Sequence, residues 1–129
     1  MRKPLLAPVL FLLGVTLAMP TIAAGDADRG KGIFKKCQVC HVLDKEKNRV
    51  GPHLVRLFGR QAGTLPNYKY SNAMRSAAIT WDETTLDAYI EAPRAYLKGT
   101  KMAVPGLKKP ADRADLIAFM LEAVSAAGD

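Results

Sequence analysis

Cys37-Gln38-Val39-Cys40-His41 is the stretch on which the reading of this chain turns. Two cysteines separated by two residues and followed at once by histidine form the attachment signature of a c-type haem. Each thiol can form a thioether to one haem vinyl group. The spacing lets both sulfurs reach one porphyrin, and His41, directly after Cys40, brings an imidazole under the iron. Three other chemistries compete for these residues. A redox-active C-x-x-C belongs at a helix start beside a βαβ pattern, and no such strand pattern is present. Structural zinc needs four nitrogen or sulfur ligands. It would consume both Cys and both His of the chain, and adjacent Cys40 and His41 suit one tetrahedral ion poorly. A disulfide across so short a gap is strained and leaves His41 without a role. Haem uses all three residues.

Upstream of this motif the chain opens with Arg2 and Lys3, an apolar run from Leu5 through Ala18, and Met19-Pro20-Thr21-Ile22-Ala23-Ala24. A positive start, a short apolar stretch and a small-residue exit are the parts of a secretory signal peptide. Pro4, Pro8, Gly14 and Pro20 punctuate the run, which makes it a poor transmembrane span; a retained N-terminal anchor is the competing reading. Cleavage after Ala24 is expected, with cleavage after Ala23 the close alternative, leaving a single domain over residues 25–129. The whole chain carries a formal charge of +7, and losing Arg2 and Lys3 lowers it to +5. So small a domain has a limited core of its own. A buried macrocycle would supply much of the missing apolar contact, and the chain without it is expected to be largely unfolded.

Downstream, no strand pattern, repeat or low-complexity tract appears, and the expected fold is all-α, with short helices and loops wrapped around one haem. Asp26 can cap a helix through Gly30, Ile33 and Phe34. Residues 42–67 are rich in Gly, Pro and charge and read as loops. Ser71–Arg75 suits one or two helical turns. Thr80-x-x-Glu83 has the capping-box form and opens a helix bearing Leu86, Tyr89 and Ile90. Pro93 ends or kinks it, and a short turn over Arg94–Leu97 follows. Pro110 suits the first position of a last helix, Asp112 and Asp115 suit its dipole, and Leu116, Phe119, Met120 and Val124 recur at helical spacing. Gly128 lies just past its expected end.

One histidine leaves the opposite side of the iron open. His53, Met74, Met102 and Met120 are the candidates for it. Met120 belongs to the apolar stripe of the last helix and Met74 to a short helix, where packing explains them. His53 follows Gly51-Pro52 so soon after the attachment site that it stays on the His41 side. Met102 stands in the loop Lys98–Gly106, away from any apolar periodicity, and is the expected second ligand.

With these residues in view, the chain resembles the class I c-type cytochromes, small soluble bacterial relatives of mitochondrial cytochrome c. The similarity runs through Gly30-Lys31, Phe34, Cys37-x-x-Cys40-His41, Gly51-Pro52, Phe58-Gly59-Arg60, Tyr68-x-Tyr70-Ser71, Trp81, Tyr89, Pro93, Gly99-Thr100-Lys101-Met102, Arg113 and Leu116–Phe119. The resemblance implies that the Pro52 carbonyl accepts a hydrogen bond from His41. It also implies that Arg60, Tyr70, Trp81 and Thr100 surround the haem propionates, that Tyr89 reaches the Met102 sulfur, and that Gly30 and Phe34 cross the last helix at Leu116 and Phe119. Val104 departs from the pattern, standing where these proteins often carry an aromatic residue; Pro105, Lys98 and Met74 depart as well.

His plus Met ligation fills both axial sites, which is the property of a carrier and not of an enzyme. The expected role is a periplasmic one-electron shuttle, since the resemblance places covalent haem attachment outside the bacterial cytoplasm. Lys35, Lys36, Lys98 and Lys101 would ring an exposed haem edge and steer it to acidic patches on membrane redox complexes. A cytochrome bc complex would be the donor, and an oxidase, a photosynthetic reaction centre or a reductase the acceptor. Nucleic acid is not an expected partner, and the chain is expected to act as a monomer. A haem enzyme or gas sensor, in which Met102 detaches, is the rival reading and draws on Val104 and Lys101. A non-haem exported binding module is a third.

Overall fold

Asp26 starts the first helix as its position in the sequence suggests. Its backbone is extended, and its carboxylate accepts the Arg29 N–H at 3.1 Å, satisfying one of the free donors at the start of α1 (Ala27–Phe34). The computed structural model describes residues 24–126. The signal-peptide reading and the Gly128 stop lie outside the described residues. Four further helices follow: α2 (Asn72–Arg75), α3 (Glu83–Glu91), α4 (Pro93–Tyr96) and α5 (Pro110–Ala126). Among the described residues the sole β pairing is one antiparallel bridge between Gln61 and Thr80, and the fold is all-α.

α1 and α5 cross at Gly30. A Cβ built there would collide with the Asp115 carbonyl and lie 2.8 Å from the Phe119 Cβ, so only glycine permits this approach. One turn on, the Phe34 and Phe119 rings stack at 5.5 Å in a tilted pair. Asp115 is not a dipole partner like Asp112. It lies beyond the first turn of α5 and is 4% exposed. Its carboxylate accepts the Asp26 N–H at 2.7 Å and the Arg29 Nε and Nη2 at 2.9 and 2.5 Å. The Asp26 N–H bond and then Arg29 hold this carboxyl below its ordinary pKa.

α3 also starts differently from the Thr80/Glu83 expectation. Asp82 is the N-cap, accepting the Thr85 N–H at 2.7 Å, while Thr85 Oγ1 accepts the Asp82 N–H at 2.9 Å. The reason is long-range. Trp81 exchanges main-chain bonds with Arg60 and Gly59, at 2.9 and 2.7 Å, and Thr80 is taken by the bridge to Gln61. The chain is therefore pinned in extended form until Asp82.

Pro93 opens α4 and is fully buried. Ser71 caps α2 through its hydroxyl, which accepts the Met74 N–H at 3.1 Å. The core joins Leu86, Tyr89 and Ile90 of α3 to Leu116, Ile117, Met120 and Val124 of α5, with Phe34 at one end and Leu43, Leu57 and Trp81 from the loops. Met120 packs in that core. The loops on either side of α2 and α4 hang from this frame and carry the functional residues.

Candidate haem site

The attachment residues occupy the turn that continues α1. The Cys37 N–H bonds Phe34 O at 2.8 Å, and the Cys40 and His41 N–H groups both bond Cys37 O at 3.0 Å. This winding sets two free, half-buried thiols and one imidazole on a single turn. Burial, then Cys40, pushes the Cys37 thiol above its ordinary pKa, with Lys36 pulling it back. An activated redox thiol needs the opposite shift. Zinc fares no better, since among the described residues no three His, Cys, Asp or Glu side chains converge as a metal-holding group.

His41 is held from two sides. Its Nδ1 lies 2.7 Å from Pro52 O. Its ring rests on Gly51, where a Cβ would come within 2.7 Å of Nδ1 and 2.9 Å of Nε2 and strike Cε1. The Gly51 N–H in turn bonds Cys40 O at 3.0 Å. With Nδ1 turned to a carbonyl, the proton sits there and Nε2 presents its lone pair. Burial foremost, and Arg60 as well, lowers the His41 pKa; the Pro52 carbonyl opposes them. A neutral, pre-oriented imidazole is what an iron requires.

The remaining predicted residues form two linked groups. In the first, Arg60 donates from Nη1 to Val55 O at 3.0 Å and from Nη2 to His53 O at 3.1 Å, and its main chain pairs with Trp81. Tyr70 belongs here too: burial raises its hydroxyl pKa and Arg60 lowers it. In the second, the Tyr89 hydroxyl lies 2.7 Å from Thr100 Oγ1, which also accepts the Met102 N–H at 3.3 Å. The hydrogen bond observed for Tyr89 is thus to Thr100, and Tyr89 acts on Met102 through that hydroxyl. The Trp81 and Tyr89 rings, 5.2 Å apart, join the two groups. His53 is buried one residue beyond Pro52.

Two ties were not anticipated from sequence. Asn48 accepts the His53 N–H at 3.0 Å and donates to Asn67 O at 3.3 Å, and Lys101 Nζ donates to Lys69 O at 2.7 Å. The Asn48–Asn67 and Lys101–Lys69 bonds join positions 19 and 32 residues apart, and no local pattern marks them.

The residues fit a haem. Two thiols and an imidazole lie on one turn, Gly51 leaves room for the ring, and Leu54, Phe58, Leu97 and Met102 from the loops, with Met74 from α2, pack half-buried against the core. Such a site is that of a c-type haem protein. The profile of the Cytochrome c family matches residues 27–123. Cytochrome c of Sesamum indicum is 50% identical over 103 residues, spanning 78% of this chain and 93% of the plant protein. Cytochrome c2 of Rhodomicrobium vannielii is 50% identical over 99 residues, 76% of this chain and 79% of that protein. The solved structure of cytochrome cH from Methylobacterium extorquens superimposes with a TM-score of 0.72 at 36% identity, covering 76% of this chain and 99% of its own. The chain belongs to the cytochrome c family, as a class I c-type cytochrome. It carries haem c covalently through Cys37 and Cys40, and its class is that of electron carriers.

Proposed function

We propose that this chain is a soluble, periplasmic one-electron carrier whose iron is held by His41 Nε2 and the Met102 sulfur. The observation that carries the reading is the fixed His41 imidazole, Nδ1 on Pro52 O and Nε2 free. Bound haem c supplies a reversible one-electron couple, and a thioether ligand raises its potential. Donation from Nδ1 to Pro52 sets the tautomer of His41 and strengthens it as a ligand. Thr100, fixed by Tyr89, holds the Met102 main chain. Arg60, Tyr70, Trp81 and Thr100 serve the propionates with donors and positive charge. Were His41 and Met102 both to hold the iron, substrate would find no open position there, which favours a carrier over an enzyme.

Residues 1–24 act as the export signal and 25–129 as the mature, monomeric domain. The pattern of Arg2-Lys3, the apolar run and Ala23-Ala24 supports this. Among the described residues no helix is long and apolar enough to cross a membrane. Exposed Lys35, Lys36, Lys98 and Lys101 form the docking edge. They steer the protein to a cytochrome bc complex as donor and to an oxidase, reaction centre or reductase as acceptor, with attraction that weakens as salt rises.

Visible spectra of haem-loaded variants test the ligand pair. Met102→Ala should lose the methionine–iron absorption band and bind carbon monoxide rapidly when reduced, while Met74→Ala and Met120→Ala keep the band. A band that survives in Met102→Ala, or fast carbon monoxide binding by the unaltered protein at neutral pH, would overturn the carrier reading.

A further inference from the structure

The loop bearing Met102 is attached at its two ends by different means. On the incoming side the ties are Tyr89 to Thr100 and the exposed Lys101 to Lys69 O. In the middle, Ala103, Val104 and Pro105 are exposed and border an open groove of about 440 Å³ against α4. The outgoing side is clamped. The Leu107 N–H bonds Ile90 O at 2.8 Å and Lys108 Nζ bonds Glu91 O at 2.9 Å. Gly106, at φ +85°, packs so close to Glu91 O that no side chain would fit.

Arg113 of α5 closes this clamp. The residue is 6% exposed. Its Nη1 donates to two successive carbonyls of the stem, Leu107 O at 2.9 Å and Lys108 O at 3.1 Å, while Nε donates to Asp87 of α3 at 2.8 Å. Glu91 Oε1 stands 3.9 Å from the same Nη1. One planar fork thus joins α3, α5 and the point where the loop returns to the frame. None of these bonds serves the α1–α5 crossing, and none is used by the electron-transfer reading.

We infer that Arg113 is a positioning residue for Met102: its fork fixes where the loop re-enters the frame, and so sets the fraction of molecules with the sulfur seated. This rests on the reading that Met102 is the second ligand. Lysine keeps the charge but presents one ammonium in place of a planar fork, so it cannot serve Asp87 and both carbonyls in the same geometry. Lys108 is exposed and Leu107 half-buried, so water can reach the stem carbonyls once the donors are lost. The loss therefore falls on local opening of the loop rather than on global unfolding.

The test uses the oxidised, haem-loaded protein and imidazole as an external ligand, which binds only when the methionine is off. Apparent affinity scales with the open fraction. Arg113→Lys should bind imidazole about tenfold tighter, with a weaker methionine–iron band, while its guanidinium unfolding midpoint stays close to the parent's. Asp87→Asn, which removes one anchor of the fork, should shift affinity the same way by a smaller factor, and it decides the matter should Arg113→Lys fail to take up haem. Unchanged imidazole affinity in both variants, or tightening that merely tracks lost global stability, would overturn the inference. Met102→Ala separates the two layers. Tight imidazole binding there with parent-like Arg113→Lys sinks Arg113 alone, whereas parent-like binding and an intact band in Met102→Ala sink the ligand reading.

Discussion

Where α1 meets α5, every group is answered by another part of the polypeptide: Phe34 by Phe119, the Asp115 carboxylate by Asp26 and Arg29, the bare face of Gly30 by a main-chain carbonyl. In the loops around residues 42–70 and 97–107 the polar groups are mostly settled, since Asn48, Arg60, Lys101 and Arg113 all cap loop carbonyls, with His53 Nδ1 the exception. The apolar groups are settled only in part: Val42, Leu43, Val55, Leu57 and Ala62 are buried by the chain itself. Leu54, Phe58, Leu97 and Met102 stay half-buried, and the haem tethered at Cys37 and Cys40 is the apolar body that would cover them. The difference teaches that one region is stabilised by the chain's own contacts and the other by its haem.

Removing the tethers should break this comparison most severely. Cys37→Ser with Cys40→Ser, isolated without haem, should lose the near-ultraviolet circular dichroism of Trp81 and Tyr89 and most of its helix signal. The loss is several kcal/mol against a total of about 5–15 for a domain, enough to unfold it. A haem-free protein with intact Trp81 dichroism would show that the loops sustain themselves. Next in size is Gly30→Ala in the haem-loaded protein. Its methyl group must displace the Asp115 carbonyl, at a cost of about 3 kcal/mol, read from the denaturant midpoint, while the methionine–iron band in native buffer stays unchanged. A parent-like midpoint would mean that the crossing is looser than its contacts indicate.

The same division explains what could be read from the sequence. Cys37–His41, the Asp26 cap and the stripe of α5 are local signals, spaced within a turn or two, and each stands where its pattern puts it. The start of α3 was misread because Thr80 and Trp81 are claimed by Gln61 and Arg60, a pairing no capping pattern can register. Asp115 was misread for the same reason: its donors come from the other end of the domain. The resemblance sends Tyr89 to the Met102 sulfur, whereas the atom it bonds is the Thr100 hydroxyl two residues earlier. Choosing between hydroxyl and sulfur requires the fold of a loop that has no periodicity.

The finest distinction between the two regions is a proton. His53 lies in the loop half, 8% exposed, with its N–H on Asn48, its carbonyl on Arg60, and Nδ1 without a partner. Burial first, then Arg60 and Arg56, hold its imidazole below the ordinary pKa, and Glu46 opposes them. The folded protein therefore protonates His53 only at a lower pH than the unfolded chain, which does so near about 6.5. Between the lowered native value and about 6.5 the unfolded state binds more protons. Stability from this group is complete above that window and falls as pH drops through it, by at most about 1.4 kcal/mol for each pH unit crossed. The denaturant midpoint of the haem-loaded protein should consequently decline between pH 7.5 and 5.5, and His53→Asn should decline less. Asn retains a polar side chain but has no proton to take up, so the difference between the two slopes isolates the titration from the packing. Equal slopes would assign the acid sensitivity elsewhere. The α1–α5 crossing cannot supply that slope, because the depressed carboxyl of Asp115 keeps its full contribution until pH falls below the ordinary carboxylate range.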